Sequence, residues 1–295
     1  MSEPLVTIIC LTYNHEAYIA DALEGFVKQE APFALEVLVH DDASTDGTAA
    51  VIRDYAERYP DVIRPVFQKK NLYSQGISIT RDVLYPMARG RYLAFCEGDD
   101  YWTDPRKLAK QVAALESHPG CDICAHATAI TRNGSFRTYN AAAARNTVLP
   151  AKKVILGGGN YVETSSIMCR AEACMRRTPF RDVLVNDYTL QIQGALRGGM
   201  VWLTDCMSVY RKMVPGSWSA RHSGRDARRP DRKRTMQMLD VLDNYTEGKY
   251  SRTISTRKAL YTADDGGPGK LRLMLFHLRR KAIRFEYKLL VHPKK

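Results

Sequence analysis

The run "LVTIICLTY" (5–13) is β-branched, apolar and too short for a helix, so it predicts a buried strand. "HEAYIADALEGFVKQ" follows with apolar residues at 18, 19, 22, 23, 26 and 27, the 3.6-residue period of an amphipathic helix. The pattern repeats along the chain. "LEVLVH" (35–40) reads as a second strand, and "DDASTDGTAAVIRDYAERY" as a turn entering a second helix. "VIRPVFQ" (62–68) and "RYLAFCE" (91–97) read as a third and fourth strand, with the helix-like "ISITRDVLYPMA" between them. Strands and helices alternating over short connections predict an α/β fold with a mostly parallel, Rossmann-like sheet. In such sheets ligands sit beyond the carboxyl ends of the strands. Three polar clusters fall at those ends: Thr12-Tyr13-Asn14, Asp41-Asp42 and Glu97-Gly98-Asp99-Asp100.

Beyond residue 117 the pattern loosens. "VILGGGNYVETSSIMCR" (154–170) reads as a glycine turn leading to an apolar stretch, "NDYTLQIQGALRGG" (186–199) as a helix ended by glycines, and "MVWLTDCMSVYR" (200–211) as strand-like. "PGSWSARHSGRDARRPDRKR" is polar, basic and rich in turn formers, which predicts a mobile loop or linker. In 270–290, residues Leu271, Met274, Leu275, Leu278, Ala282, Phe285 and Leu289 form one apolar stripe at helical spacing. Arg272, Arg279, Arg280, Lys281, Arg284 and Lys288 spread over the rest of that helix. Such a stripe suits an anionic membrane surface, and it equally suits packing on the enzyme body or on a dimer partner.

Composition narrows the setting. The 295 residues suffice for one large α/β domain with an appendage, or for two smaller domains. No window is long and apolar enough for a membrane span, and "MSEPLVTIIC" lacks the features of a signal peptide, so a cytoplasmic, reducing location is expected. Seven cysteines, an odd number at scattered apolar positions, predict free thiols rather than a disulfide framework. Cys121 and Cys124 form a lone CxxC without a second pair at zinc spacing, and read as two half-buried thiols. The charge is uneven. Residues 1–218 carry 24 Lys/Arg against 24 Asp/Glu, whereas 219–295 carry 20 against 8, which accounts for the whole net charge of +12. Only the tail seeks acidic partners. With no aromatic-interleaved basic motif and no reading module, nucleic-acid binding is not expected.

The clusters differ in what they demand. Three carboxylates within four residues repel one another unless a cation sits among them, and hard divalent ions such as Mg²⁺ or Mn²⁺ take oxygen ligands. The competing reading is a cap: Asp104 before Pro105 starts a helix, which leaves Glu97, Asp99 and Asp100 unexplained. Asp42 beyond the second strand is either a turn residue or an acceptor for a nucleobase N–H. A glycine-rich dinucleotide loop is missing after the first strand, which argues against nicotinamide or flavin chemistry.

"VTIICLTYNHEAYIADAL", "EVLVHDDASTDGT" and "GRYLAFCEGDDYWTDPRKLAKQ", in this order, resemble the inverting family 2 glycosyltransferases of GT-A fold. Downstream, "ETSSIMCR", "VNDYTL" and "MSVYR" are similar to that family's acceptor-side segments. The resemblance spans about residues 4–219 and implies a GT-A domain over 1–219. Its 1–117 half would bind the nucleotide sugar and its 118–219 half the acceptor, with a basic helical extension at 220–295. It implies that Thr12, Tyr13 and Asp42 line the nucleotide pocket, and that Asp99 and Asp100, with Glu97 less directly, hold the ribose and a Mn²⁺ or Mg²⁺ ion. Arg81 falls in a segment that approaches the nucleotide in relatives. Asp187 matches the catalytic base; on local grounds alone it reads more readily as a helix N-cap.

Two departures stand out. Glu97 replaces the first Asp of the family's acidic motif. Met213 occupies the place where many relatives carry a His, and His222 in the basic segment reads as a solvated loop residue. Trp218 either closes over the donor or anchors its loop. The implied activity is transfer of a sugar, UDP-linked by family habit, to a glycan or lipid-linked glycan in cell-surface polysaccharide assembly. A non-catalytic GT-A-like binding protein and a nucleotidyltransferase are the alternatives.

Overall fold

A computed structural model describes residues 3–222 and 224–291, with the side chains of Trp218, Arg225, Asp226, Arg228 and Arg229 left undescribed. The N-terminal half is β1 (Val6–Thr12), α1 (Ile19–Val27), β2 (Leu35–Asp41), α2 (Thr48–Arg58), β3 (Ile63–Phe67) and β4 (Tyr92–Phe95), followed by the short β5 (Tyr101–Trp102) and α3 (Lys107–Glu116). The second half comprises β6 (Ile123–Arg132), β7 (Ser135–Asn140), β8 (Thr147–Leu149), α4 (Ala151–Gly157), β9 (Met168–Arg170), α5 (Ala171–Met175), α6 (Pro179–Val183), α7 (Asp187–Leu196) and β10 (Met200–Arg211). Helices α8 (Trp218–Arg221), α9 (Arg225–Tyr245), α10 (Ser251–Asp264) and α11 (Lys270–Val291) complete the chain.

All ten strands join one sheet, with central order β3-β2-β1-β4-β9-β6-β10-β5. The first four strands are parallel, while β9 and β5 run antiparallel to their neighbours. Alternation along β1 sends Val6, Ile8 and Cys10 to one apolar layer and Ile9 to the other. Register then aligns the strand ends, because Thr12 is the partner of Asp41 across β1 and β2. The turn after β4 stays close to β1, with Gly98 N–H donating to Leu11 O at 2.8 Å.

Several expectations change. The helix-like 77–88 is a single wide π-type turn (Ile79–Leu84) followed by a 3₁₀ turn (Tyr85–Met87). Asp104 does not adjoin the helix; its carboxylate accepts from Arg106 N–H, and α3 begins at Lys107. The basic stretch of residues 215–234 is not a loop throughout, since α9 starts at Arg225 and continues through Pro230. Its helical state rests on buried Met238, Leu239 and Leu242, and on buried Arg232, which pairs with Asp264 and Asp265 of α10. Cys169 and Cys174 form a disulfide where free thiols were expected, because α5 folds back directly after β9. Cys121 and Cys124 are free and fully buried rather than half-buried.

The C-terminal helix also turns a face that the stripe did not foretell. Leu271, Met274, Leu275, Leu278, Phe285 and Leu289 are exposed, which overturns packing of that stripe on the enzyme body. The opposite face, with Arg280, Arg284 and fully buried Tyr287, is the one that docks. Tyr287 donates its hydroxyl to Thr204 O at 2.8 Å. Among the described residues, no helix is long and apolar enough to cross a membrane.

Helix α7 approaches β6 closely at Gly194, where a Cβ would stand 2.6 Å from the Cβ of Ile123. Replacing Gly by Ala in a helix normally gains about 1 kcal/mol. Overpacking a rigid core contact costs about 1–3 kcal/mol. Gly194→Ala is therefore expected to lower the melting temperature by a few degrees; an increase in calorimetry would show that the sheet yields at this point.

Candidate active site

The acidic cleft lies at the carboxyl ends of β1, β2 and β4, and the charges of Glu163 and of Asp187, the latter at the start of α7, act on Glu97 there. Gly98 is wedged among Thr12, His15 and Ile19, each of which a Cβ would meet at 3.0 Å. Absence of a side chain there lets the acidic turn lie against β1. Thr12 Oγ1 and His15 Nδ1, both beside this turn, are buried with no hydrogen-bond partner. Buried polar atoms in that state are costly unless a ligand or water meets them.

The carboxylates follow. Asp99 and Asp100 are buried, while Glu97 keeps partial access to solvent. Asp100 Oδ1 accepts the Arg211 N–H at 2.8 Å, and the Arg211 guanidinium donates to Asp99 O at 3.1 Å. Arg211 is placed by the antiparallel pairing of β5 with β10 and packs 4.3 Å from the Tyr101 ring centre. Burial raises the pKa of all three acids. Glu97 rises to about 8, from burial first and then from the charges of Asp99, Asp187 and Glu163.

Asp187 belongs to the same electrostatic group. Asn186, not Asp187, caps α7: its side chain accepts Thr189 N–H at 3.0 Å, in a reciprocal capping box. Asp187 is thereby left at the first helical position, accepting its neighbour's N–H from Tyr188 at 2.8 Å and a long contact from Gln191. Burial and the charge of Glu163 raise it to about 7. Glu163 is also raised by burial, and its carboxylate accepts from Asn140 Nδ2 at 2.9 Å. Tyr210 lies in the field of Glu163, Asp100 and Glu97, and its phenol is pushed up mainly by burial.

Not every sequence candidate converges. Asp42 is buried, but both its oxygens receive backbone N–H groups, from Leu72 at 2.7 Å and Tyr73 at 3.0 Å, so it shapes the 71–73 turn at the pocket wall. Tyr13 is 45% exposed at the cleft rim. Arg81 is held by Asp82 at 2.8 Å and Asp182 at 3.2 Å and points to no carboxylate of the cleft. His222 is not simply solvated; its Nε2 lies 3.3 Å from Asp231. Met213 adopts φ +67 and is tied by its N–H to Ser219 Oγ at 2.8 Å. The Trp218 side chain lies outside the described residues.

His15, Glu163, Arg211 and Tyr210 were not singled out beforehand. Each sits inside or beside a quoted motif, but its role depends on partners far along the chain, such as the 111 residues that separate Arg211 from Asp100.

Five acids, Glu97, Asp99, Asp100, Glu163 and Asp187, thus share one cleft. Among the described residues no three His, Cys, Asp or Glu side chains converge as a ready-made metal cage. The donor set nevertheless fits a hard divalent ion. Mg²⁺-type sites use one or two carboxylates and leave the remaining positions to water and substrate phosphate. The crowding of buried acids with raised pKa values is what a bound cation relieves.

The family model described as "Glycosyl transferase family 2" matches residues 7–184, well over half of the chain. An uncharacterized protein of Mycobacterium tuberculosis, Rv1520, is 34% identical over 248 residues, 82% of this chain and 70% of its own. The Escherichia coli UDP-Glc:alpha-D-GlcNAc-diphosphoundecaprenol beta-1,3-glucosyltransferase WfaP is 32% identical over 113 residues, 38% of this chain and 42% of its own. Among solved structures, Staphylococcus aureus TarS in complex with UDP superposes with a TM-score of 0.64 at 18% identity, covering 87% of this chain and 70% of that one. The sheet and its flanking helices are those of the GT-A fold. With its acidic cleft lying within and beside the matched segment, the chain belongs to glycosyl transferase family 2.

Proposed function

We propose that this protein is an inverting, metal-assisted hexosyltransferase. It moves a sugar from a nucleoside-diphosphate donor, UDP-linked in the first instance, to a glycan or lipid-linked glycan in cell-surface polysaccharide assembly. The observation that carries this reading is Asp187, a carboxylate released from capping by Asn186, half-buried, and near enough to Glu97 for its charge to raise that acid. The substrates named for WfaP support the donor and acceptor classes.

In this reading Thr12, Tyr13 and Asp42 line the nucleotide pocket, with Thr12 Oγ1 and His15 Nδ1 free to meet the donor. Arg81 joins them only if its pairs with Asp82 and Asp182 open. Asp99, Asp100 and Glu97 would hold Mn²⁺ or Mg²⁺, which supplies Lewis-acid stabilisation of the charge left on the diphosphate. Asp187 takes the proton of the acceptor hydroxyl as that oxygen forms its bond to sugar C1. The C1–O bond to the diphosphate breaks on the opposite face, and its electron pair leaves with the diphosphate. Residues 1–219 form the transferase unit, with 1–117 serving the donor and 118–219 the acceptor. The 220–295 extension brings it to the cytoplasmic face of a membrane.

For that last step α11 is well arranged. At about 100° per residue, its outward stripe is flanked by Arg272 and Arg279 on one side and by Lys281 and Lys288 on the other. Cations beside an exposed apolar stripe match an anionic lipid surface. Wild-type protein should co-sediment with vesicles containing anionic lipid, and Leu278→Glu with Phe285→Glu, both at exposed positions, should abolish this. Equal sedimentation of the two proteins would remove the membrane from the proposal.

The catalytic assignment is tested through Asp187. Asp187→Asn should keep the thermal stabilisation given by UDP with Mn²⁺ and lose sugar transfer by at least a hundredfold; retained turnover excludes it as the base. A UDP response without transfer in the wild type would favour the binding-protein alternative. Stability gives a second readout. The folded pKa of about 7 lies above the unfolded value near 4. The native state therefore holds the extra proton between those values, and the carboxylate costs stability progressively as pH rises across that window. Without metal, Asp187→Asn should match wild type near pH 4 and melt several degrees higher at pH 8. No divergence would show that the carboxylate is solvated.

A further inference from the structure

Three arginines from the C-terminal helices gather around segment 156–161, which leads to Asp187, and around Asn140 beside it. Arg257 of α10 donates to Leu156 O at 3.3 Å, and its guanidinium lies 4.0 Å from the Tyr261 ring centre. It packs against bare backbone at Gly158, where φ is +76 and any Cβ would overlap its Nη2. Arg280 of α11 donates to Asn160 O at 2.6 Å and, more weakly, to Tyr161 O and Asn140 Oδ1. Arg284, one turn on, donates to Asn140 Oδ1 at 2.9 Å.

These cations are underused. Among the described residues no carboxylate lies within ion-pair distance of any of the three. The Nε–H groups of Arg257 and Arg284 are buried without an acceptor. Glu163 is the carboxylate whose charge acts on Arg280 and Arg284, yet its own hydrogen bond comes from Asn140. Burial, and next the charge of Arg284, lower Arg280 to about 10. Like charges gathered in a half-buried place are costly unless an anion completes them. Planar guanidinium groups offer paired N–H donors suited to phosphate oxygens. The segment they grip adjoins the proposed base, since a Cβ on Gly159 would stand 4.0 Å from Asp187 Oδ1.

We propose that Arg257, Arg280 and Arg284 form an anion site that takes the phosphate or diphosphate of the acceptor, beside the carboxylate that activates its hydroxyl. The word acceptor rests on the glycosyltransferase reading above; the anion site does not. It is distinct from the corner of Asp99 and Asp100, whose arginine, Arg211, is engaged by those two residues.

The probe is inorganic pyrophosphate in the presence of EDTA, which removes any metal-dependent binding at the donor corner. Millimolar pyrophosphate should raise the melting temperature of the full chain. Arg280→Gln with Arg284→Gln, and separately Arg257→Gln, should reduce that shift at least threefold, while the UDP–Mn²⁺ shift stays intact. With a diphosphate-bearing acceptor, the same variants should raise KM tenfold or more. Variants that melt lower but keep the full pyrophosphate response would make the arginines a strap for α10 and α11 and overturn the proposal. So would a wild type without any response. Loss of the UDP–Mn²⁺ response in wild type would instead strike the transferase reading and leave the pyrophosphate result standing.

Discussion

The cost of taking crowded carboxylates partly or wholly out of water is the constraint around which this structure is organised. Glu97, Asp99, Asp100, Glu163 and Asp187 share one cleft, and burial raises the pKa of each. A fold gains nothing in stability from such a cluster; isolated acids of this kind protonate or attract a cation. Their retention makes sense only if the cleft is completed by positive charge during use. In the proposed reading a divalent ion supplies that charge beside Asp99 and Asp100, and the proton of the acceptor hydroxyl supplies it at Asp187.

The scaffold supplies the rigidity that crowding requires. Parallel register sets Thr12 against Asp41, and Gly98 presses the acidic turn onto β1. Arg211, delivered by β10 from the far end of the transferase unit, holds Asp100 through its backbone and Asp99 through its guanidinium. Asn186 takes over capping so that Asp187 is not consumed by its own helix. Sites assembled this way depend on long-range contacts more than on any local motif.

That dependence explains what could be read from the chain alone. Strands β1 to β4 were legible because parallel, doubly covered strands are continuous apolar runs, and their polar ends marked the donor side. The acidic turn and Asp187 were visible as motifs. β6 was not, because "ICAHATAITR" mixes small and polar residues and buries His126. The first half of α9 reads as a loop from sequence because it is nearly all charge and carries Pro230. The stripe on α11 was found, but hydropathy cannot tell which face of an amphipathic helix docks. Here arginines and Tyr287 hold the body, and the leucines face outward. Nor could the chain disclose Glu163 or the arginines around Asn140, whose significance lies in who stands next to them.

The extension has two unlike faces: its inner face reaches the segment beside Asp187, and its outer face is apolar and flanked by cations. In the proposed readings the first serves the acceptor and the second a lipid surface. The central claim, however, concerns the acidic cleft, and electron paramagnetic resonance of Mn²⁺ tests it most directly. With one or two carboxylates as protein ligands, the ion should bind weakly alone and at least tenfold more tightly once UDP is added, and Asp99→Asn should remove that gain. Mn²⁺ affinity indifferent to both UDP and Asp99 would contradict the account.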